Sequence, residues 1–255
     1  MGSVVGTILN LRRSDYVSHS VLWQHRSACE ELRARHGFRQ RYTRLRMPRL
    51  RTVREIEVKL RISDPPALVA KVRQLRARCY GRVFERNTLY DTPNEDFRRA
   101  GRLLRLRIET PAPVKGTPGG ARKAVFTSKA PAPGSRGRYK EKLEREAIVR
   151  SPAKWPPKLR ALGFRPGFCY EKCRTTFRLP GLRLELDETP VGTFLELEGA
   201  PRAIDRTARA LGFFPRDYIR GTYWDLFQAT RRGRAHPPQD MTFRARNSRK
   251  SALLP

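Results

Sequence analysis

The stretch Glu55-Ile56-Glu57-Val58-Lys59-Leu60-Arg61 alternates charge with hydrocarbon in strict period two. As a strand it points two carboxylates and two cations to one face and Ile56, Val58 and Leu60 to the other. The alternation returns in Leu104-Arg105-Leu106-Arg107-Ile108, Lys142-Leu143-Glu144-Arg145-Glu146, Leu182-Arg183-Leu184-Glu185-Leu186-Asp187 and Phe194-Leu195-Glu196-Leu197-Glu198. Any one of these reads as the solvated face of an antiparallel sheet. Five together suggest a sheet curled with its charged face inward, a lumen suited to a polyanion that travels with divalent cations.

Turn residues and periodicity divide residues 53–230 further. Strands are expected at 53–62, 82–91, 102–110, 121–130, 138–150, 167–179, 182–189 and 192–199. Helices are expected at 66–78 behind Asp64-Pro65-Pro66, at 151–162 with Pro156 and Pro157 in the first turn, and at 201–212 and 216–228. Loops rich in Gly and Pro fall at 111–120 and 131–137, and Pro180-Gly181 marks a tight turn. Eight strands in mostly sequential hairpins predict an α+β domain: a closed eight-stranded antiparallel β-barrel, or tunnel, with a charged lumen and a few flanking helices. The apolar strand faces would then point outward, under amphipathic helices.

The chain of 255 residues is 38% hydrophobic and carries a formal charge of +31. That hydrophobic share is below the usual ~45–50%, and the deficit lies at the ends. Residues 1–52 contribute +8 and 231–255 contribute +6, leaving +17 between them. Both ends read as basic and poorly ordered, with a short helix around 24–36. Met47 opens a compact lead into the first strand, so the stretch before it is expected to be an extension ahead of the working start, or else a nucleic-acid-binding arm. No run of eighteen apolar residues predicts a membrane span, and no secretory leader is recognisable; a cytoplasmic location is expected.

The four histidines, His19, His25, His36 and His236, all lie outside 53–230. Chemistry in that region therefore proceeds without imidazole, which removes the usual zinc sets and the Ser/His and Cys/His nucleophile pairs. Cys29, Cys79, Cys169 and Cys173 form no CxxC pair and read as reduced structural thiols. There is no GxGxxG and no GxxxxGK[ST]. Carboxylates, Lys and Arg remain.

Those residues occur in a familiar order. An ExExK at Glu55-Ile56-Glu57-Val58-Lys59 is followed by Asn87-Thr88-Leu89-Tyr90-Asp91-Thr92-Pro93, by Gly101 to Arg107, and by Lys129. The Glu144/Glu146 pair, Lys172-Cys173-Arg174, Asp187 and Phe194-Leu195-Glu196-Leu197-Glu198 complete the series. The whole resembles the CYTH domain, or triphosphate tunnel metalloenzyme, superfamily of triphosphatases and class IV adenylate cyclases. The resemblance implies a tunnel that takes a triphosphate-containing small molecule with Mg²⁺ or Mn²⁺. Glu55, Glu57, Glu196 and Glu198 would face the metal, and Lys59, Arg105, Arg107, Lys129, Lys172 and Arg174 would hold phosphate oxygens. Glu55, Glu57, Lys59 and Asp187 would form the reaction centre, and Glu144 and Glu146 would be further lumen acids.

Three functions follow, from different classes. The first is hydrolysis of inorganic, nucleoside or thiamine triphosphate. The second is cyclisation of ATP to cyclic AMP and pyrophosphate. The third is a non-catalytic binder of polyphosphate or nucleic acid, the latter through the basic ends and less favoured. Arg61, Lys142, Arg183 and Glu185 read as solvated strand positions or stacked ion pairs, and Tyr90, Phe97, Phe164, Phe177 and Trp224 as packing residues.

Overall fold

The computed structural model describes residues 51–112, 121–135, 137–233 and 238–243. The expected segment 1–52, apart from its last two residues, and most of the 111–120 loop lie outside the described residues, as do the 24–36 helix, Cys29 and all four histidines.

Eight strands form: β1 (Val53–Ile62), β2 (Arg78–Asp91), β3 (Leu103–Pro111), β4 (Lys123–Pro131), β5 (Lys140–Val149), β6 (Arg165–Leu179), β7 (Leu182–Thr189) and β8 (Gly192–Gly199). They close into an antiparallel barrel in the order β1-β5-β4-β3-β2-β6-β7-β8. Hairpins account for most of the pairings, while β1 joins β5 to β8 and β2 meets β6 to seal the cylinder. The expected tunnel is therefore the observed one.

The hydrophobic core lies outside the barrel. Leu60, Leu184, Leu186, Leu195 and Leu197 pack under Leu68, Val69 and Val72 of α1 (Pro65–Gln74) and, from a later helix, Ile204, Ala208 and Leu211. The latter three line one side of α4 (Pro201–Leu211), at the i, i+4, i+7 spacing of a helix face. On the opposite wall Leu104, Leu106 and Phe126 pack against Trp155 and Leu159 of α3 (Trp155–Ala161), with Phe164 beside them. A short α2 (Asp96–Arg99) occupies the turn between β2 and β3, its backbone N–H groups at Phe97 and Arg98 donating to the Asp91 carboxylate.

Boundaries move where capping chemistry decides them. Asp64 accepts the Ala67 N–H and starts α1 as expected. The helix ends at Gln74 rather than 78 because Arg76 adopts a left-handed backbone, φ 59°, and turns the chain into a longer β2. The last helix, α5 (Tyr223–Arg231), starts later than expected because Thr222 and Asp225 form a reciprocal capping box; a 3₁₀ turn at Pro215–Asp217 precedes it.

The tail departs from the expected disorder at 238–243. Met241 exchanges backbone hydrogen bonds with Cys169 and Glu171 on β6, and Asp240 accepts the Cys169 N–H. The reason is an unpaired edge: β6 pairs with β7 only from Cys173 onward, so its first half has open backbone groups that the tail satisfies. Met241 joins Phe168, Tyr170, Phe194, Tyr223 and Phe227 in a cluster that closes this end of the barrel.

Candidate active site

Register places every expected site residue on the lumen face. Glu55, Glu57 and Lys59 alternate inward from β1, with Glu57 opposite Glu198 and Lys59 opposite Glu196 on β8. Arg105 of β3 stands beside Thr127 on β4, whose other neighbour is Glu146 of β5, and Arg107 stands beside Val125; Lys129 likewise faces Glu144. Lys172 and Arg174 of β6 lie beside Asp187 of β7.

Six carboxylates, Glu55, Glu57, Glu85, Glu185, Asp187 and Glu196, and five cations, Lys59, Arg105, Arg107, Lys172 and Arg174, are buried in this lumen. They pair in a continuous chain. Lys59 Nζ lies 3.0 Å from Glu196, which also accepts from Arg174 at 2.6 Å. Arg174 and Lys172 both donate to Asp187, at 2.6 and 2.8 Å. Lys172 and Arg107 reach Glu85 at 3.6 and 3.4 Å, and Arg107 and Arg105 meet Glu146 at 3.1 and 3.5 Å. Nearer β5, Lys129 bridges Glu55 and Glu144 at 2.5 and 3.2 Å, and Lys140 holds Glu57 at 2.5 Å.

Burial disfavours every one of these charges, and the pairing decides which survive. Burial would raise Glu57, yet Lys140, Lys129 and Lys59 outweigh it and hold the carboxyl well below its usual range. Glu196 is lowered the same way by Lys59, Lys172 and Arg174, and Glu85 by Lys172, Arg174 and Arg107. Glu198 behaves oppositely: burial, with Glu55 and Glu185 nearby, outweighs Arg183 and pushes it up to about 7.

Among the described lumen residues, Arg105 Nε and Arg107 Nε are buried donors without a hydrogen-bond acceptor, although Arg107 Nε lies 3.1 Å from the Glu109 carboxylate. Arg105 holds Tyr170 Oη at 3.2 Å and Thr127 Oγ1 at 3.1 Å, but its Nε has no acceptor. An oxygen of an entering anion would satisfy it.

Several lumen residues were not expected. Glu85 and Asn87 face inward from β2, but Arg86 between them carries charge on the outer face, so this strand shows no clean alternation. Lys140 shares the parity of Lys142, Glu144 and Glu146 and could have been read from it. Glu185, read as a solvated position or a stacked ion pair, takes the second form, buried against Arg174. Tyr223 had no signal, because it comes from a helix: its hydroxyl donates to Asp187 at 2.6 Å and its ring lies 4.4 Å from Lys59 Nζ. Arg61 is exposed as expected, and Tyr90, Phe97, Phe164 and Phe177 are packing residues.

The donor set suits a hard cation. Among the described residues no three acidic, His or Cys side chains converge on one point. A divalent ion held by one or two of these carboxylates would complete its shell with water and substrate phosphates, as hard cations do. Charge points the same way: six buried carboxylates against five buried cations in the lumen leave no surplus positive charge for a triphosphate that enters without a metal.

Comparison with known proteins agrees. Residues 53–213 match the CYTH domain family. The PH1819 protein of Pyrococcus horikoshii is 25% identical with a TM-score of 0.57, the match covering 69% of this chain and 99% of that one. The PH1012 protein of the same organism is 25% identical, TM-score 0.53, covering 68% and 98%. A candidate adenylate cyclase of Vibrio parahaemolyticus, at 19% identity, TM-score 0.56 and coverage of 68% and 97%, shares the fold. No curated protein matches.

Proposed function

Since this chain belongs to the CYTH domain family, we propose that it is a divalent-metal-dependent hydrolase of inorganic or organic triphosphates, working in its closed tunnel. The observation that carries this reading is the lumen itself: buried arginines and lysines interleaved with buried carboxylates, where a simple polyanion binder would present unopposed cations.

In this reading Arg105 and Arg107 grip phosphate oxygens from one wall, with the Arg105 Nε–H free to donate to one of them. Guanidinium groups suit that bidentate role, while Lys59, Lys129 and Lys172 act as point charges. Arg174 stays fixed by Asp187, Glu185 and Glu196 and so presents a preset direction of charge. Glu55, Glu57, Glu196 and Glu198 would hold Mg²⁺ or Mn²⁺. Such an ion supplies positive charge to the phosphate oxygens and polarises the bond to be broken. The aromatic closure at Phe194 and Tyr223 shuts water out of one end. Phosphoryl transfer needs chiefly positioning and charge stabilisation, which this array supplies without a covalent nucleophile. The working unit runs from 53 to 243, because α5 and the 238–243 segment complete that closure.

The test is to incubate the full chain with Mg²⁺ or Mn²⁺ and tripolyphosphate, thiamine triphosphate or ATP, scoring orthophosphate, pyrophosphate and cyclic AMP. Metal-dependent orthophosphate release is expected. Cyclic AMP with pyrophosphate would replace hydrolysis by cyclisation, and no product from any substrate would sink both.

A further inference from the structure

Three arginines on adjacent strands stand side by side at one end of the barrel. Arg78 of β2 is the register partner of Arg178 on β6, and Arg178 is the partner of Arg183 on β7. Strands lie about 4.8 Å apart, so the row spans about 10 Å. Like charges directly opposite each other destabilise a sheet. Only Arg183 is compensated, by Glu198 at 3.2 Å and Glu185 at 3.7 Å. Arg78 and Arg178 have no carboxylate partner among the described residues. Their guanidinium groups lie over the ring of Tyr80 instead, 5.6 and 4.7 Å from its centroid, and that ring is 56% exposed.

The position of the row gives it meaning. Glu185 faces the lumen, and Arg183 is the next residue of that face outward along β7, so the row marks the tunnel mouth. This is the end where β1 begins and β5 finishes, with Val53 and Ile148 exposed; the opposite end is closed by Tyr223, Phe194 and Met241.

We propose that Arg78, Arg178 and Tyr80 form a second phosphate-recognition site at the mouth, taking the phosphoryl groups of a linear polyphosphate that lie beyond the three in the lumen. The inference rests on the proposed function, which places a phosphate chain in the tunnel. A longer chain cannot extend past the aromatic closure, so its remaining groups emerge past Arg183 toward Arg178 and Arg78. Unpaired guanidinium groups match phosphate oxygens bidentately, and an anion there relieves the repulsion along the row. A nucleic-acid strand fits less well, since it gains from a free ring on which to stack a base and Tyr80 is already engaged by two guanidinium groups.

The experiment compares the full chain with an R78Q/R178Q variant by titration calorimetry without divalent metal, so that no ligand is turned over, using tripolyphosphate and a long linear polyphosphate at two salt concentrations. Affinity for the long chain should fall about 10- to 100-fold, as expected for two charge-assisted contacts, and its salt dependence should become shallower. Tripolyphosphate affinity should be unchanged. R202Q/R206Q, which removes two exposed charges from α4, should alter neither. An equal loss for both chains, no loss for the long one, or the same loss from R202Q/R206Q overturns the proposal. So does a larger loss for a 5′-triphosphorylated oligoribonucleotide than for polyphosphate. Orthophosphate release is measured in parallel with Mg²⁺ present: its absence overturns the hydrolase reading, while the calorimetry still decides the mouth site.

Discussion

Lys129 Nζ lies 2.5 Å from Glu55 Oε2 although β5 stands between their strands. The contact is possible because both side chains point into the same narrow lumen, where they also meet Glu144 of the intervening strand. Burial would strip the proton from Lys129, but Glu55, Glu144 and Glu57 outweigh it and keep the ammonium charged.

Replacing that ammonium should therefore expose the acids to each other. Lys129→Met is expected to lower stability by about 2 kcal/mol, since it leaves partly buried carboxylates without their cation. Added Mg²⁺ should restore more stability to the variant than to the parent. Melting temperatures with and without MgCl₂ check this; an identical Mg²⁺ response in both would argue against metal binding near Glu55.

Arg107 spans Glu85, Glu109 and Glu146 with separate nitrogens. Lysine cannot reproduce that fork, so Arg107→Lys should cost about 10²-fold in kcat/KM for tripolyphosphate. The circular dichroism spectrum should be unaltered. Full activity would remove Arg107 from the phosphate-holding set.

The inside-out arrangement has its own signature. Leu184 is fully buried between β7 and the α1/α4 layer, and Leu184→Ala should cost about 2–5 kcal/mol in urea unfolding. A polar residue of the same barrel height but opposite parity should cost far less; Arg183→Gln, at the mouth, is the matched comparison.

Glu198 provides a pH test of the fold. Its carboxyl is raised from 4.5 to about 7 in the folded protein, so the native state holds a proton that the unfolded chain releases. The stability contributed is present in full below about pH 4.5 and is lost as pH rises through about 7. Subtracting the stability curve of Glu198→Gln from that of the parent, without metal, should isolate this falling slope. A difference that is flat between pH 4.5 and 7 would contradict the burial assigned to Glu198.

The tail segment can be tested through the thiol it covers. Cys169 is buried and its thiol pushed up by burial, whereas Cys79 is exposed. Ending the chain at residue 237 should raise the alkylation rate of Cys169 roughly tenfold, by exposing it and restoring thiolate. Mass spectrometry resolves it from Cys79. An unchanged rate would mean that Met241 does not shield β6.

Much of the site was legible because strand periodicity is exact. In Glu55 to Arg61 or Leu182 to Asp187, parity alone says which side chains share a face, and the ExExK order pointed to the family's tunnel. The legibility failed where parity carried no contrast. Glu85 was hidden by Arg86, and Glu185 stayed open between a solvated position and an ion pair because charge by itself does not say whether water or Arg174 will neutralise it.

What the chain determines locally, then, is the set of faces: hydrocarbon to one side of each strand, acids and bases to the other, with Asp64 and Thr222 setting where helices begin. Which charges meet is decided only by closure of the barrel. The Lys129–Glu55 contact, the Tyr223 hydroxyl on Asp187 and the Arg78–Arg178–Arg183 row join residues up to 105 positions apart in number, and their energies depend on register, strand order and exclusion of water. Those are properties of the assembled cylinder, since no single strand can bury a charge or choose its partner.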